Sequence, residues 1–180
     1  NINDDKRFDD YWRQYHALTE RRGVTPDAAK NLVRSRPTII AALMVERGEA
    51  DGLITGIVGR YHKKLGYLRS IFDFEPGVQG TAAMTGVIND KGAWFFVDTH
   101  VQMDPSAEQI AEATMQAAYR LKLFGIEPKV ALLSHSNFGS SSQPSALKMR
   151  RVLELLKTQA PWLEVDGEMH GDVALDGAAR

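Results

Sequence analysis

Hydrophobic positions recur at helical spacing through the first third of this 180-residue chain. Gly23 is expected to end the first helix, and Thr25-Pro26 supplies a capping residue followed by proline at the first helical position of the second. A third helix is predicted from Pro37 to about Gly48, buried because residues 38–45 are mostly apolar. The apolar stripe of the first helix, with spacings of three and four residues, consists of Phe8, Tyr11, Trp12, Tyr15 and Leu18.

A short run of apolar and β-branched residues between glycines follows these helices. We predict that this run, residues 50–58, forms a strand buried on both faces, as parallel sheets require. Helical spacing returns over residues 60–72, and Glu75-Pro76-Gly77 then interrupts the pattern. We therefore expect residues 1–75 to hold the helices and first strand of an incomplete first subdomain, and residues 76–180 to form a second α/β subdomain.

The rest of the chain alternates between strand and helix patterns. Residues 81–88 and 93–97 flank an Asn-Asp-Lys-Gly sequence, which predicts a β-hairpin. The elements expected after it are a helix from residue 104 to Gly125, a strand at 129–133, a helix at 144–158 and a strand at 163–166. Strands alternating with helices of this length predict an α/β fold with a mostly parallel sheet and helices on both faces.

Composition and charge narrow the classes of function. The chain has no cysteine, which excludes disulfides, a thiolate nucleophile and cysteine-ligated metal within it. Its net charge of −1 argues against a nucleic-acid-binding protein, which usually has a net basic domain or a dense basic stripe. No apolar run approaches the ~18 residues of a membrane span, and the first residues show no secretory signal. We expect a cytoplasmic protein with no membrane or nucleic-acid partner.

Three loops are expected at the carboxyl ends of strands, where ligands bind in open α/β sheets. The first follows the strand at 129–133 and is rich in hydroxyl groups. Hydroxyls and free backbone N–H groups near a helix N-terminus favour an anion, although the same composition suits an ordinary connection rich in capping residues. The candidate ligand-binding residues here are Ser134, His135, Ser136, Asn137, Phe138, Gly139, Ser140 and Ser141.

The second loop, residues 56–59, has a glycine at each end, and glycine lets the backbone approach a ligand closely. Arg60, Lys63 and Lys64 follow it and are candidate ligand-binding residues, because these cations suit phosphate groups. The alternative is that they are solvated residues on a helix surface.

The third loop, residues 166–172, contains three carboxylates and one histidine. Glu168 and His170 are candidate ligand contacts in this loop. No second histidine lies at ligand spacing, so we predict no metal site.

These loops lie within segments that resemble the phosphate acetyl/butyryltransferase family. The resemblance covers nearly the whole chain and rests on residues 50–52, 104–112, 124–134 and 166–168. Residues 134–141 and 167–172 are similar to the branch of the family that is fused to bacterial malic enzymes.

The resemblance implies two α/β subdomains around a cleft, similar to the isocitrate and isopropylmalate dehydrogenases. It also implies a homodimer formed through this domain within a larger oligomer. In that branch the domain binds acetyl-CoA as an allosteric effector. NADP and a divalent metal belong to a separate catalytic domain of the same polypeptide, which oxidatively decarboxylates malate to pyruvate. The expected role of this chain is therefore regulatory, with no catalytic residue of its own.

The alternative is an active phosphate acetyltransferase, which moves acetyl between CoA and phosphate. Two positions where the family carries anion-binding arginines fall on Thr19 and Gly66, and the family's catalytic Ser-Arg pair is expected beyond Arg180. An acyl transferase needs such clamps to stabilise developing charge, so binding without turnover is the expectation. No Gly-x-Gly-x-x-Gly sequence follows a predicted strand, and we expect no nicotinamide binding in this chain.

Overall fold

Helices dominate the first part of the chain and strands enter only after residue 76, in a computed structural model that describes residues 5–176. The chain divides after Pro76 into two compact units. The first unit contains α1 (Phe8–Thr19), α2 (Pro26–Ser35), α3 (Pro37–Glu46) and α4 (Tyr61–Arg69). The second contains β1 (Met84–Asn89), β2 (Gly92–Val97), α5 (Ala107–Leu123), β3 (Lys129–Leu133), α6 (Pro144–Gln159), β4 (Glu164–Met169) and α7 (Gly171–Leu175). The fold is of the predicted α/β class.

The first two helices are bounded by residues that the sequence signals, whereas α3 ends two residues before Gly48 and α4 is shorter than the predicted residues 60–72. Gly23 adopts a left-handed φ of +84° after α1 and a 3-10 turn, and the Thr25 hydroxyl accepts a hydrogen bond from the N–H of Ala28 at 3.3 Å. These helices pack around one apolar core, to which the stripe of α1 contributes Tyr11 and Tyr15, whereas Leu18 of the same stripe is exposed. The buried core residues are Tyr11, Tyr15, Ala29, Val33, Ile39, Ala42, Leu43 and Ile71.

Residues 50–58 do not form the predicted strand, and the prediction that both of its faces are buried is wrong for this chain. Ile54 and Ile57 are each 103% exposed. A strand needs a neighbouring strand to pair its N–H and C=O groups. Within residues 5–176, strand pairing joins only β1 with β2 and β3 with β4.

The second unit confirms the predicted hairpin, since β1 and β2 pair antiparallel with Asn89 opposite Gly92. It also confirms the strand at 129–133 and the two long helices. The N–H of Gln109 donates to the Ser106 hydroxyl at 3.2 Å and the Ser106 N–H donates to the Gln109 side chain at 2.9 Å, so a capping box starts α5. The buried core residues here are Ala107, Ala111, Ala118, Leu132, Val152, Leu156, Ala160 and Leu163.

Strand β4 pairs parallel with β3 and runs three residues beyond its predicted end at residue 166. Leu132 lies opposite Gly167 and Leu133 opposite Met169, so the pairing skips Glu168. An extra residue of this kind, here Glu168, points its side chain in a direction that differs from that in a regular strand. The third candidate loop is therefore partly strand.

The described strands form one antiparallel and one parallel pair, so the sheet is less uniformly parallel than expected. None of the helices in residues 5–176 combines the length and apolar character needed to cross a bilayer.

We expect Gly167→Ala to lower the free energy of unfolding by at least about 2 kcal/mol, because the residue would be strained and crowded at once. Gly167 has a φ of +133°, and an added Cβ would lie 2.7 Å from the Leu132 carbonyl oxygen. The measurement is urea unfolding followed by circular dichroism. The control is Gly171→Ala, where an added Cβ meets no atom within 4 Å, and the expected change is below about 0.5 kcal/mol. Equal unfolding midpoints for the two variants would contradict this account of β4.

Candidate functional site: the loop after β3

The first and third candidate loops lie side by side, because parallel strands place their carboxyl ends at the same edge of a sheet. The N–H of Ser134 donates to the Met169 carbonyl at 2.9 Å, and the N–H of Phe138 donates to the Glu168 carbonyl at 2.8 Å. The His170 N–H donates to the Asn137 side-chain oxygen at 2.7 Å. Residues 134–142 and the end of β4 therefore form one structural site.

A buried carboxylate lies beneath this loop. The Glu168 side chain is 0% exposed, and its Oε1 accepts hydrogen bonds from the Ser136 hydroxyl at 2.9 Å and from the Gly139 N–H at 3.0 Å. Arg150 Nη1 lies 3.7 Å from the same oxygen. Burial by itself raises the pKa of Glu168. The N–H groups of Gly139 and of Glu168 itself, the Ser136 hydroxyl and the Arg150 charge outweigh burial and hold that pKa below its ordinary value. The side chain is therefore ionised at neutral pH.

Arg150 links helix α6 to both sides of the loop. Besides its approach to Glu168, it donates from Nη2 to the Ser141 carbonyl at 3.0 Å. Arg150 was not among the residues predicted from the sequence, where its signal is weak. Its neighbour Arg151 is also an arginine on α6, but pairs with Glu154 on the same helix at 3.0 Å.

The loop turns through two consecutive residues with left-handed backbone. Phe138 has a φ of +45° and Gly139 a φ of +88°, and a non-glycine residue in this region is uncommon. The Asn137 N–H donates to the Ser140 hydroxyl at 3.1 Å and closes the turn. The Phe138 side chain is 51% exposed. Strained backbone of this kind is most often found at ligand-binding sites.

The candidate residues of the loop divide into an inward and an outward set. Ser136 is 4% exposed, and both its hydroxyl and the Gly139 N–H are directed at Glu168. His135 and Ser140 are exposed. The His135 ring lies 3.4 Å from the Ser141 hydroxyl through Nε2 and 3.3 Å from the Ser145 hydroxyl through Nδ1. Ser145 lies in the first turn of α6, outside the three loops that the sequence singled out.

Three buried polar atoms at this sheet edge have no hydrogen-bond partner among residues 5–176: Ser134 Oγ, Glu168 Oε2 and His170 Nε2. Buried polar atoms are nearly always paired in folded proteins. Each of these three atoms can therefore form a further hydrogen bond that the described residues do not provide.

The three cations of the second candidate loop lie in the first unit, at the start of α4. Arg60 occupies the N-cap position of that helix without a capping hydrogen bond from its side chain. Both Arg60 and Lys63 are exposed. Lys64 Nζ donates to the Thr55 hydroxyl at 3.2 Å. Within the described part of the chain, no group of three or more His, Cys, Asp or Glu side chains is arranged to hold a metal ion.

Comparisons with known proteins connect this chain to one family. Residues 1–180 match the family described as phosphate acetyl/butaryl transferase. The chain is 49% identical over its whole length to an NADP-dependent malic enzyme of Escherichia coli, of which it covers 24%. It is 49% identical over 176 residues, 98% of its length, to an NAD-dependent malic enzyme of Rhizobium meliloti, of which it covers 23%.

Among solved structures, a phosphotransacetylase from Streptococcus pyogenes matches 94% of this chain with a TM-score of 0.80 and 28% identity, and the match covers 52% of that chain. The chain thus spans about a quarter of the length of the malic enzymes that it matches and about half of the solved phosphotransacetylase.

We expect the stability that ionised Glu168 contributes to be lost in acid. Its pKa in the folded protein lies below the ordinary value of 4.5. The contribution is therefore complete above the unfolded-state pKa and disappears as the pH falls through the lower folded-state pKa. The free energy of unfolding of the original protein and that of Glu168→Gln should therefore differ more at pH 7 than at pH 3. Urea unfolding at each pH measures this difference.

The matched control for this comparison is Glu154→Gln, since Glu154 is an exposed glutamate paired with Arg151 on α6. Its gap to the original protein should stay small at every pH. A Glu168→Gln gap of constant size across the pH range would show that the carboxylate is not held ionised by the loop.

Proposed function

The chain belongs to the phosphate acetyl/butaryl transferase family, and we propose that within this family it is the acyl-CoA-binding regulatory domain of a malic enzyme. Acetyl-CoA is the proposed effector, and the domain has no transferase activity of its own. The observation that carries the proposal is identity of 49% to malic enzymes over the full chain, against 28% to the Streptococcus pyogenes phosphotransacetylase. The catalytic domain that oxidatively decarboxylates malate lies elsewhere in the same polypeptide.

The nicotinamide cofactor and a divalent metal belong to that separate catalytic domain. The matched region is 49% identical to an NADP-dependent and also to an NAD-dependent malic enzyme. The sequence identity of this region is therefore the same for enzymes that prefer NADP and NAD. This is expected if the nucleotide binds outside the region. NADP is the proposed cofactor of the whole enzyme.

The inward and outward residues of the loop have different proposed roles. Glu168, Ser136 and Arg150 hold the loop in shape, whereas the exposed His135, Phe138 and Ser140 meet the ligand. The phosphates of CoA attract cations, and this is the proposed role of Arg60, Lys63 and Lys64. The remaining candidates, Ser134, Asn137, Gly139, Ser141 and His170, stay proposed members of the site.

Binding without chemistry is supported by the surroundings of Ser136. This hydroxyl is buried, and the carboxylate that accepts its hydrogen bond has a lowered pKa. A carboxylate of low pKa is a poor general base, so it does not activate the hydroxyl as a nucleophile. Acetyl-CoA would instead act by binding one quaternary state more tightly than another and shifting the population between them. We propose a cytoplasmic homodimer formed through this domain within a larger oligomer.

The second candidate function is phosphate acetyltransferase activity, which the family membership favours. The contact between the Ser141 hydroxyl and His135 Nε2 is the observation in its support, because a histidine beside a hydroxyl is the arrangement of an activated nucleophile. At 3.4 Å the contact is long, and both groups also engage other residues at the start of α6.

We expect the natural polypeptide that carries this chain to bind acetyl-CoA with a micromolar dissociation constant and to release no CoA thiol when phosphate is added. Calorimetric titration and a thiol-release assay on the same sample measure the two quantities. Thiol release at enzymatic rates would instead establish the acetyltransferase. Absence of both binding and turnover would refute both candidate functions.

Replacing Arg60 with alanine should weaken acetyl-CoA binding about tenfold, the effect of losing one charge-assisted hydrogen bond. The fold should be unchanged, because Arg60 is exposed. The control is Arg69→Ala, which removes an exposed arginine from the opposite end of α4. Equal affinities for the two folded variants would remove Arg60 from the proposed site.

A further inference from the structure

Phe138 is the one apolar side chain in the loop that follows β3. The other residues from 134 to 143 are serine, histidine, asparagine, glycine and glutamine. The Phe138 side chain is half exposed, and within residues 5–176 it belongs to neither apolar core and stacks on no aromatic ring or cation. An aromatic ring is stabilised when another surface covers it. The described residues leave that covering surface to a ligand.

The backbone around Phe138 is held by contacts with Glu168. The Phe138 N–H donates to the Glu168 carbonyl at 2.8 Å, and the Ser136 hydroxyl and the Gly139 N–H donate to the Glu168 carboxylate. These bonds hold a φ of +45° at Phe138, a value that non-glycine residues rarely adopt. The ring is therefore carried by backbone that is already ordered, and a ligand that covers the ring does not have to order the loop.

The chemistry of the loop favours a planar ligand group with polar edges over an aliphatic chain. An aliphatic chain is bound by several apolar side chains that enclose it, whereas this loop offers a single ring. A nucleobase needs only one aromatic face for stacking, and its edge forms hydrogen bonds with polar groups. His135 and Ser140 are exposed in the same loop, and each can donate or accept such bonds.

We propose that Phe138 binds the adenine ring of acyl-CoA by stacking against it and is thereby a specificity-determining residue of the site. This inference rests on the proposed function and extends it, because it assigns the nucleotide end of the effector to the loop after β3. Stacking on the base does not depend on the acyl group. Phe138 therefore contributes equally to the binding of acetyl-CoA and of free CoA.

Calorimetric titration of the natural polypeptide with acetyl-CoA and with free CoA tests the contact. Phe138→Ala should weaken the binding of both ligands about tenfold, the effect of losing one stacked base. Phe138→Tyr should bind both ligands as the original protein does, because it keeps the ring. The matched control is Phe124→Ala, which removes an exposed phenylalanine from the end of α5 and should leave both affinities unchanged. Equal affinities for Phe138→Ala and Phe124→Ala would overturn the proposal.

Two fragments of acetyl-CoA separate a stacked base from a loop that has lost its shape. Adenosine 3′,5′-bisphosphate carries the base without the acyl end, and proton NMR should show its adenine protons shifted upfield by the ring current of the aromatic side chain. The shift should occur with the original protein and with Phe138→Tyr, and be absent with Phe138→Ala. S-acetylpantetheine lacks the base and should bind the original protein and Phe138→Ala equally. Unshifted adenine protons in the original protein, or weaker binding of S-acetylpantetheine by Phe138→Ala, would overturn the proposal.

The same samples separate failure of the stacking from failure of the proposed function. Acetyl-CoA binding that is unchanged in Phe138→Ala would overturn the stacking and leave the function standing. A shift of the adenine protons that depends on Phe138, without any binding of acetyl-CoA, would overturn the function and leave the contact with the base standing.

Discussion

The buried negative charge of Glu168 is the constraint on which the second unit depends. A carboxylate that is removed from water stays ionised only where donors and a cation surround it. Here the donors come from Ser136 and Gly139, and the cation is Arg150 on α6. The irregular pairing at the end of β4 places the carboxylate beneath the loop. One charge thereby joins the end of β4 to the loop after β3 and to α6, the helix that follows that loop.

This constraint separates the residues that face Glu168 from those that we propose as ligand contacts. The hydrogen bonds to Glu168 Oε1 occupy the Ser136 hydroxyl and the Gly139 N–H, so these donors are not available to a bound molecule. Phe138, which lies between these two residues, has a left-handed backbone and is exposed. A loop held in this way is pre-organised, and pre-organisation lowers the entropy lost on binding. The lowered pKa of Glu168 agrees with the proposed function, in which the loop binds a ligand and carries out no nucleophilic chemistry.

Much of the fold follows from local signals in the sequence. The predictions were wrong where the structure of a segment depends on residues distant from it in the sequence. Strand β3 and the hairpin turn at Asn89 formed as predicted, because hydrophobic period and turn residues act over a few positions. The composition of residues 50–58 is that of a buried strand, yet burial requires neighbouring strands that residues 5–176 do not supply. Arg150 was not predicted as a site residue because its sequence context is nearly the same as that of Arg151. The two arginines have different partners only because of how α6 packs.

The sequence by itself determined the approximate positions of the long helices, the α/β class and the family resemblance, since these depend on periodicity, capping residues and motifs that local chemistry defines. It also located the polar loop at residues 134–142 and the nearby Glu168. Only the tertiary structure decided that Glu168 is buried beneath that loop and that Ser136 faces it. The physical reason is that Ser136 and Glu168 are 32 residues apart, and the direction of a hydrogen-bonding group depends on which distant residues the fold brings within about 3 Å of it.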